Sequence, residues 1–307
     1  MLEKLFYCDR LSRISGKFSN VISYLKMKKL VSVIIPTFNR ATFLSKALDS
    51  VFAQSYQDIE VIVVDDGSQD GTPEIVERYA AEHGGRLISL YQENRGPAAA
   101  RNRGIRQARS DLLAFLDSDD RFAGKKLAVQ VKVMENRDFL VSHTDEVWYR
   151  RGRVLNPKKK HRKAGGDIFA QSLELCAVGM STVMVRRELF DLVGYFDENL
   201  PCCEDYDLWL RVSAVQPFLF IGLPLTVKDG GRPDQLSQIY SVGMDRFRIA
   251  AIEKILAAGV LQSGQAELAI AELARKCRIY GTGCLKHGRI EEGDYYLNLP
   301  LKYQEGI

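Results

Sequence analysis

The run Leu112-Leu113-Ala114-Phe115-Leu116-Asp117-Ser118-Asp119-Asp120 closes an apolar stretch with carboxylates. Apolar residues bounded by turn formers predict a buried strand, with the acids where the chain leaves the sheet. Open α/β sheets bind ligands at the carboxyl ends of their strands. Asp117 and Asp119 stand at i and i+2, so they can converge on one hard cation if the chain turns between them. Oxygen ligands of this kind suit Mg²⁺ or Mn²⁺, usually shared with substrate phosphates. The bland alternative is a solvated acidic turn that caps the next helix.

A second acidic group, Glu204-Asp205-Tyr206-Asp207, follows Pro201 and opens a helix carrying Leu208, Trp209 and Val212. Acids in a first turn are favoured by the helix dipole, and that explains one or two of them. The same dipole keeps a carboxylate ionised at neutral pH and well held as a general base.

The elements that must position these acids are legible upstream. Leu30-Val31-Ser32-Val33-Ile34-Ile35-Pro36 predicts a first strand, with the loop Thr37-Phe38-Asn39-Arg40 after it. Phe43, Leu44, Ala47, Leu48, Val51 and Phe52 recur at helical spacing. Ile59 to Asp66 predicts a second strand, Pro73 to His83 a helix capped by Asp70 or Thr72, Arg86 to Tyr91 a third strand and Gly96 to about Ala108 another helix. Strands separated by single helices imply right-handed βαβ units and a largely parallel sheet. No G-x-G-x-x-G follows the first strand and no G-x-x-x-x-G-K-[ST] is present, so neither a dinucleotide fingerprint nor a P-loop is supported.

Beyond Asp120 the spacing predicts a helix near 125–136, strands at 139–149 and 181–185, a short helix at 187–192 and a short strand at 218–222. Residues 223–240 read as a loop. From Met244 onward the pattern is helical, with a third helix expected from Gly281 to Leu299. Three segments result: an extension at 1–29, a catalytic domain at 30–240 and a helical extension at 241–307.

A net charge of +4 does not argue for nucleic acid. Six Cys without C-x-x-C pairing read as free thiols of a reduced, cytoplasmic protein. No apolar run reaches the roughly 18 residues of a membrane span. Residues 1–29 alternate apolar and basic positions, a pattern that fits peripheral contact with the inner face of a membrane or a helix packed on its own domain. Lys158-Lys159-Lys160-His161-Arg162-Lys163 reads as a solvated loop or as a contact for an anionic acceptor or membrane.

Five segments in this order resemble the family 2 glycosyltransferases with the GT-A fold. They are Val31 to Arg40, Glu60 to Thr72, Gly96 to Gly104, Leu116-Asp117-Ser118-Asp119-Asp120 as a D-x-D, and Glu204-Asp205 as an E-D. The resemblance covers about residues 30–240. It implies a Rossmann-like, mostly parallel sheet flanked by helices, with the helical C-terminal extension outside it. It implies an inverting enzyme that moves a sugar from a nucleotide-sugar donor, a UDP-sugar favoured, to a saccharide or lipid-linked saccharide acceptor in surface polysaccharide or glycan synthesis. Asp119 would hold Mg²⁺ or Mn²⁺, and Asp117 would lie near the ribose or a metal-bound water. Asp66 would accept a hydrogen bond from the nucleotide base, Pro36, Thr37 and Phe38 would frame it, and Arg101 would lie close to the nucleotide. Asp205 would take the acceptor proton, with Glu204 as the second candidate. Many members carry a His before the Gly-Gly-x-x-S segment; this sequence has Asp229 there, which either replaces the His on the metal or loses the contact. A non-catalytic scaffold of the same fold is one alternative. A sugar nucleotidyltransferase is another, but Pro36-Thr37-Phe38-Asn39 lacks the Gly-rich, Arg-bearing loop it needs.

Overall fold

The computed structural model describes residues 29–135, 138–150, 152–155 and 161–303. The amphipathic N-terminal segment, up to residue 28, lies outside the described residues. Strand β1 (Val31–Thr37) is followed by helix α1 (Ala41–Phe52), β2 (Ile59–Asp65), α2 (Thr72–His83), β3 (Leu87–Tyr91), α3 (Gly96–Gln107) and β4 (Leu112–Phe115). β1, β2 and β4 are buried along their whole length, as near-continuous Val, Ile and Leu runs require of strands covered on both faces. β1 pairs in parallel with β2 and with β4, and β2 with β3. Single-helix crossovers therefore bring Thr37, Asp65 and the turn after Phe115 to one edge of the sheet.

The chain then forms β5 (Asp120–Phe122), α4 (Lys126–Val133), β6 (Val141–Arg150), β7 (Arg153–Leu155), α5 (Phe169–Glu174), β8 (Val183–Arg186), α6 (Glu188–Val193), α7 (Glu204–Val215) and β9 (Leu219–Asp229). The sheet runs β3-β2-β1-β4-β8-β6-β9-β5, with β7 on β6. β8 is antiparallel to both of its neighbours, and β5 is antiparallel to β9. The second half of the sheet thus adds antiparallel pairing to a parallel first half.

Residues 223–229 continue β9 rather than forming the expected loop. Gly222 and Pro224 hide the strand in the sequence. The register slips beside them, between Thr144 and Glu146 of β6, so the proline sits at an irregularity where a ladder tolerates it. The basic run is only partly visible: 158–160 lie outside the described residues, and Lys163 is buried against Glu146 at 3.1 Å rather than solvated.

Helices α8 (Leu236–Ile239), α9 (Met244–Ala257), α10 (Ser263–Lys286) and α11 (Ile290–Asn298) complete the fold. The helix break expected at Gly281 does not occur. Gly281 lies inside α10, and a Cβ there would come within 2.9 Å of Gly293 O in α11. It is a notch for close helix crossing, and the break falls at 287–289 instead.

Alternate strand residues face two cores. Ile34, Ile62, Phe115 and Val185 meet Phe190 and Trp209 on one side. Val33, Ile35, Val61 and Leu112 meet Leu44, Leu48 and Leu127 on the other. A third core joins Phe169, Leu173, Tyr206 and Leu210 to Ile249, Ile252, Leu273 and Cys277 of the C-terminal helices. Among the described residues, no helix is long and apolar enough to cross a membrane.

Candidate active site

The loops after β1 and β2 are stapled together. Asn39, in the left-handed region at φ 51°, accepts the Gln69 N–H at 2.8 Å. The Arg40 N–H donates to Thr72 Oγ1 at 2.9 Å, and Asp70 accepts the backbone N–H groups of Ala41 and Thr72. This frame holds Pro36 and Thr37 buried and leaves Phe38 42% exposed. Thr37 Oγ1 is buried without a hydrogen-bond partner.

Asp66 is buried at the start of α3. Its Oδ1 accepts from Gln92 Nε2 at 2.7 Å and from the Arg95 N–H at 2.9 Å, and its Oδ2 from the Gly96 N–H at 2.8 Å. A carboxylate has about four acceptor directions. The expected contact to a nucleotide base therefore has one direction left, because Asp66 is mainly engaged in satisfying the N–H groups at a helix start.

The acidic run turns at once, with the Asp120 N–H on Asp117 O at 2.9 Å. Behind the turn lies Arg101, 5% exposed. Its helix sits close on β1 because Gly104 lies against Ile34; a Cβ on that glycine would stand 2.5 Å from Ile34 Cγ2. Arg101 Nη2 donates to Asp117 Oδ1 at 2.8 Å, and Nη1 donates to Glu204 Oε1. Arg101 thus joins the acidic turn to the start of α7 through two carboxylates.

Burial alone would raise the pKa of Asp117, but Arg101 and Lys228 outweigh it and hold the carboxyl below its usual range. Lys228 Nζ lies 3.1 Å from Asp120 and 3.9 Å from Asp117. Burial opposes its charge, yet Asp120, Glu146 and Asp117 together keep it protonated. Asp120 has only a share of that lysine. Burial, with Asp117 and Asp119 adding to it, pushes Asp120 up to about 7. Ser181 Oγ donates to Asp120 at 2.6 Å and accepts the Asp117 N–H at 3.0 Å, which locks the turn to the start of β8.

Asp119 faces the other way. It accepts from Arg232 Nη2 and, at 3.4 Å, from Gln235 Nε2. The side chain of Asp229 pairs with Arg121 at 3.1 Å, while its backbone O accepts from the same Arg232 that donates to Asp119. Among the described residues, no group of three or more His, Cys, Asp or Glu could hold a metal by itself. Asp119 offers oxygen donors of the kind a hard cation takes, and because the Arg232 guanidinium sits on one of them, a cation there would have to displace it and draw its remaining ligands from phosphate or water.

At the start of α7, Cys203 adopts φ 65°, a strained value for a side chain other than Gly, Asn or Asp. Glu204 is buried on Arg101, and burial raises its pKa while Arg101 opposes the rise. That pairing engages Oε1 of Glu204 on Arg101, and of the two candidate bases Asp205 is the more exposed. Asp207 is buried between Arg211 at 2.7 Å and Lys254 at 3.0 Å. Asp205 alone of the three is half-exposed, with its Oδ2 accepting from the Cys176 thiol at 3.2 Å. Ser181, Lys228 and Cys176 escaped sequence reasoning because none lies in a motif with a local signature, and Asp120 and Arg232 lie in the acidic run and the last loop, where nothing local marks the partners they take.

Residues 32–193 match the model of "Glycosyl transferase family 2", a stretch that ends before Glu204 and Asp205. An uncharacterized glycosyltransferase of Rickettsia felis is 36% identical over 190 residues, 60% of this chain and 30% of that protein. The chain thus spans about a third of the length of the first curated relatives it matches. A putative teichuronic acid biosynthesis glycosyltransferase of Bacillus subtilis, TuaG, is 34% identical, with 60% of this chain and 72% of that one covered. S. aureus TarS 1–349 in complex with UDP-GlcNAc shares the fold at a TM-score of 0.62 and 18% identity, covering 90% of this chain and 92% of that one. The mannosyltransferase PcManGT of Pyrobaculum calidifontis, with GDP-Man and Mn2+, does so at 0.60 and 19%, covering 91% and 86%.

Proposed function

The chain belongs to glycosyl transferase family 2 and has the GT-A fold, and from that premise we propose that it is a glycosyltransferase that moves a sugar from a nucleoside-diphosphate donor to an acceptor hydroxyl with inversion at the anomeric carbon. A UDP-sugar is the favoured donor, and a saccharide or lipid-linked saccharide of a surface glycan the favoured acceptor. The observation that most supports this reading is Arg101, which bonds both Asp117 of the acidic turn and Glu204 beside Asp205. The acids of the two motifs, far apart in sequence, therefore belong to one cluster. The names of TuaG and of TarS with UDP-GlcNAc support the glycan and the donor class.

The parts divide by position. Pro36, Thr37, Phe38 and Asp66 frame the base, with Phe38 the exposed member of the four. Asp117 faces the ribose side, fixed by Arg101. Asp119, with Asp117 in the same turn, would hold Mg²⁺ or Mn²⁺ together with the diphosphate. When bound, the metal neutralises charge on the leaving diphosphate. Asp205 accepts the proton of the acceptor hydroxyl as its oxygen attacks, and the bond from the anomeric carbon to the diphosphate breaks. Arg101 and Glu204 position the acids and do not touch the substrate. The setting we propose is cytoplasmic, peripheral to the inner face of a membrane through the basic N-terminal segment.

The test pairs Asp205→Asn with donor binding. The amide keeps the shape and removes the proton acceptor, so transfer falls roughly 10²–10⁴-fold while UDP affinity stays within a few-fold. Near-parent turnover by a folded variant would overturn the role of Asp205. Proton NMR of the new glycosidic bond reads the stereochemistry, and a retained configuration would overturn the single displacement.

A further inference from the structure

Asp205 is held from two sides. Its Oδ1 accepts the Tyr206 N–H at 2.7 Å, and its Oδ2 lies 3.2 Å from Cys176 Sγ. Cys176 comes two residues after α5, and α5 is anchored to the same core as α7. Tyr206 Oη donates to Leu173 O at 2.7 Å, and buried Lys276 donates to Glu174 O at 3.0 Å. The thiol is therefore placed by packing that does not depend on its own hydrogen bond. A second acceptor, Val178 O, stands farther off at 3.5 Å. A thiol has one proton, and a carboxylate is the stronger acceptor. Burial, reinforced by Asp205 itself, pushes the Cys176 thiol well above its usual pKa, so it remains a donor. The charged and titratable groups around the pair are Glu204, Cys202 and Cys203 at the start of α7, Arg248 of α9, and Lys163.

We infer that Cys176 is a positioning residue for the base: its thiol donates to Oδ2 of Asp205, fixes the carboxylate's rotation and leaves its free lone pairs for the acceptor hydroxyl. The inference rests on the reading of Asp205 as the base. A hydrogen bond to an ionised group favours the ionised form. Losing it takes away a donor to the carboxylate and lets the carboxylate rotate, while the nucleotide frame around Thr37 and Asp66 is untouched.

The experiment measures UDP release from UDP-GlcNAc, with water standing in for the acceptor, as a function of pH. Cys176→Ala is expected to lower kcat roughly 10-fold and to move the acid limb of kcat/KM to higher pH, with UDP affinity unchanged. Cys176→Ser, which restores a donor, is expected to recover most of the rate and the original limb. Parent-like rate and pH profile in Cys176→Ala would overturn the inference. So would a rate loss in both variants with an unmoved acid limb, which marks a packing role. Should the alanine variant not fold, the infrared S–H stretch of Cys176, assigned by difference against Cys176→Ser, is compared between the parent and Asp205→Asn. A shift to higher frequency supports the bond, and an unmoved band overturns it. Parent-like hydrolysis by Asp205→Asn would instead bring down the base assignment itself.

Discussion

Arg232 donates to the Asp119 carboxylate across 113 residues of sequence, while its guanidinium lies over the Phe43 ring, 4.2 Å from the centroid. Its Nη1 also donates to Asp229 O at 2.7 Å. The loop after β9 thus lays a cation on an acid of the turn that Arg101 does not bond. A divalent cation shared with a diphosphate would have to take Asp119 from that guanidinium.

Nucleoside-diphosphate binding is therefore expected to depend on metal. Calorimetric titration of UDP with Mn²⁺ gives an affinity at least about 10-fold above that in EDTA, a difference of about 1.4 kcal/mol. Asp119→Ala brings the two affinities together. Equal affinities for the parent under both conditions would remove Asp119 from the metal role.

Asp120 makes stability depend on pH. Its folded pKa of about 7 lies above the ordinary value of 3.8. The folded state therefore binds more protons than the unfolded one between those values, and stability falls as pH rises. The contribution is fully present below about 3.8 and is lost as pH passes through about 7. Asp120→Asn removes this slope. Thermal unfolding of both proteins from pH 5 to 8 is the check, and parallel Tm profiles would count against it.

What the sequence discloses and what it hides follow one division. β1 and β2 are legible because strands covered on both faces need unbroken apolar runs, and Asp117, Asp119 and Asp205 are legible because each ends or opens an element. The partners that decide their roles are not local. Ser181 meets Asp120 across 61 residues, and Arg101 meets Glu204 across 103. Without those contacts Glu204 and Asp205 look interchangeable. Pro224 and Gly281 mislead for the same reason, since a neighbouring strand and a neighbouring helix decide what each tolerates.

The C-terminal helices share a core with α5 and α7, the helices that carry Cys176 and Asp205 to the site. Removing residues 241–307 exposes Phe169, Leu173, Tyr206 and Leu210, each worth about 1.5–3 kcal/mol when buried. The truncated chain is expected to fail to fold, although every nucleotide-side residue lies upstream. Ile252→Ala is the graded version, with a loss of about 2–5 kcal/mol in chemical denaturation. A stable truncated protein that binds UDP would show that the helices are dispensable to the core.

Arg101 and Glu204 offer the sharpest separation of support from chemistry. Arg101→Met leaves Asp117 and Glu204 facing each other with no cation between them in a buried position. Breaking a buried pair from one side costs about 3–5 kcal/mol. Glu204→Gln is milder, because the amide oxygen still accepts from Arg101 and the guanidinium keeps Asp117. Its expected cost is about 1–3 kcal/mol. Transfer by Glu204→Gln should therefore fall far less than by Asp205→Asn, and its pH profile should keep the parent's acid limb. Denaturation curves and pH–rate profiles for the three variants, measured on one preparation, give both quantities. If Glu204→Gln lost transfer as completely as Asp205→Asn while keeping its stability, the proton would be going to Glu204, and the pairing with Arg101 would have to open during turnover.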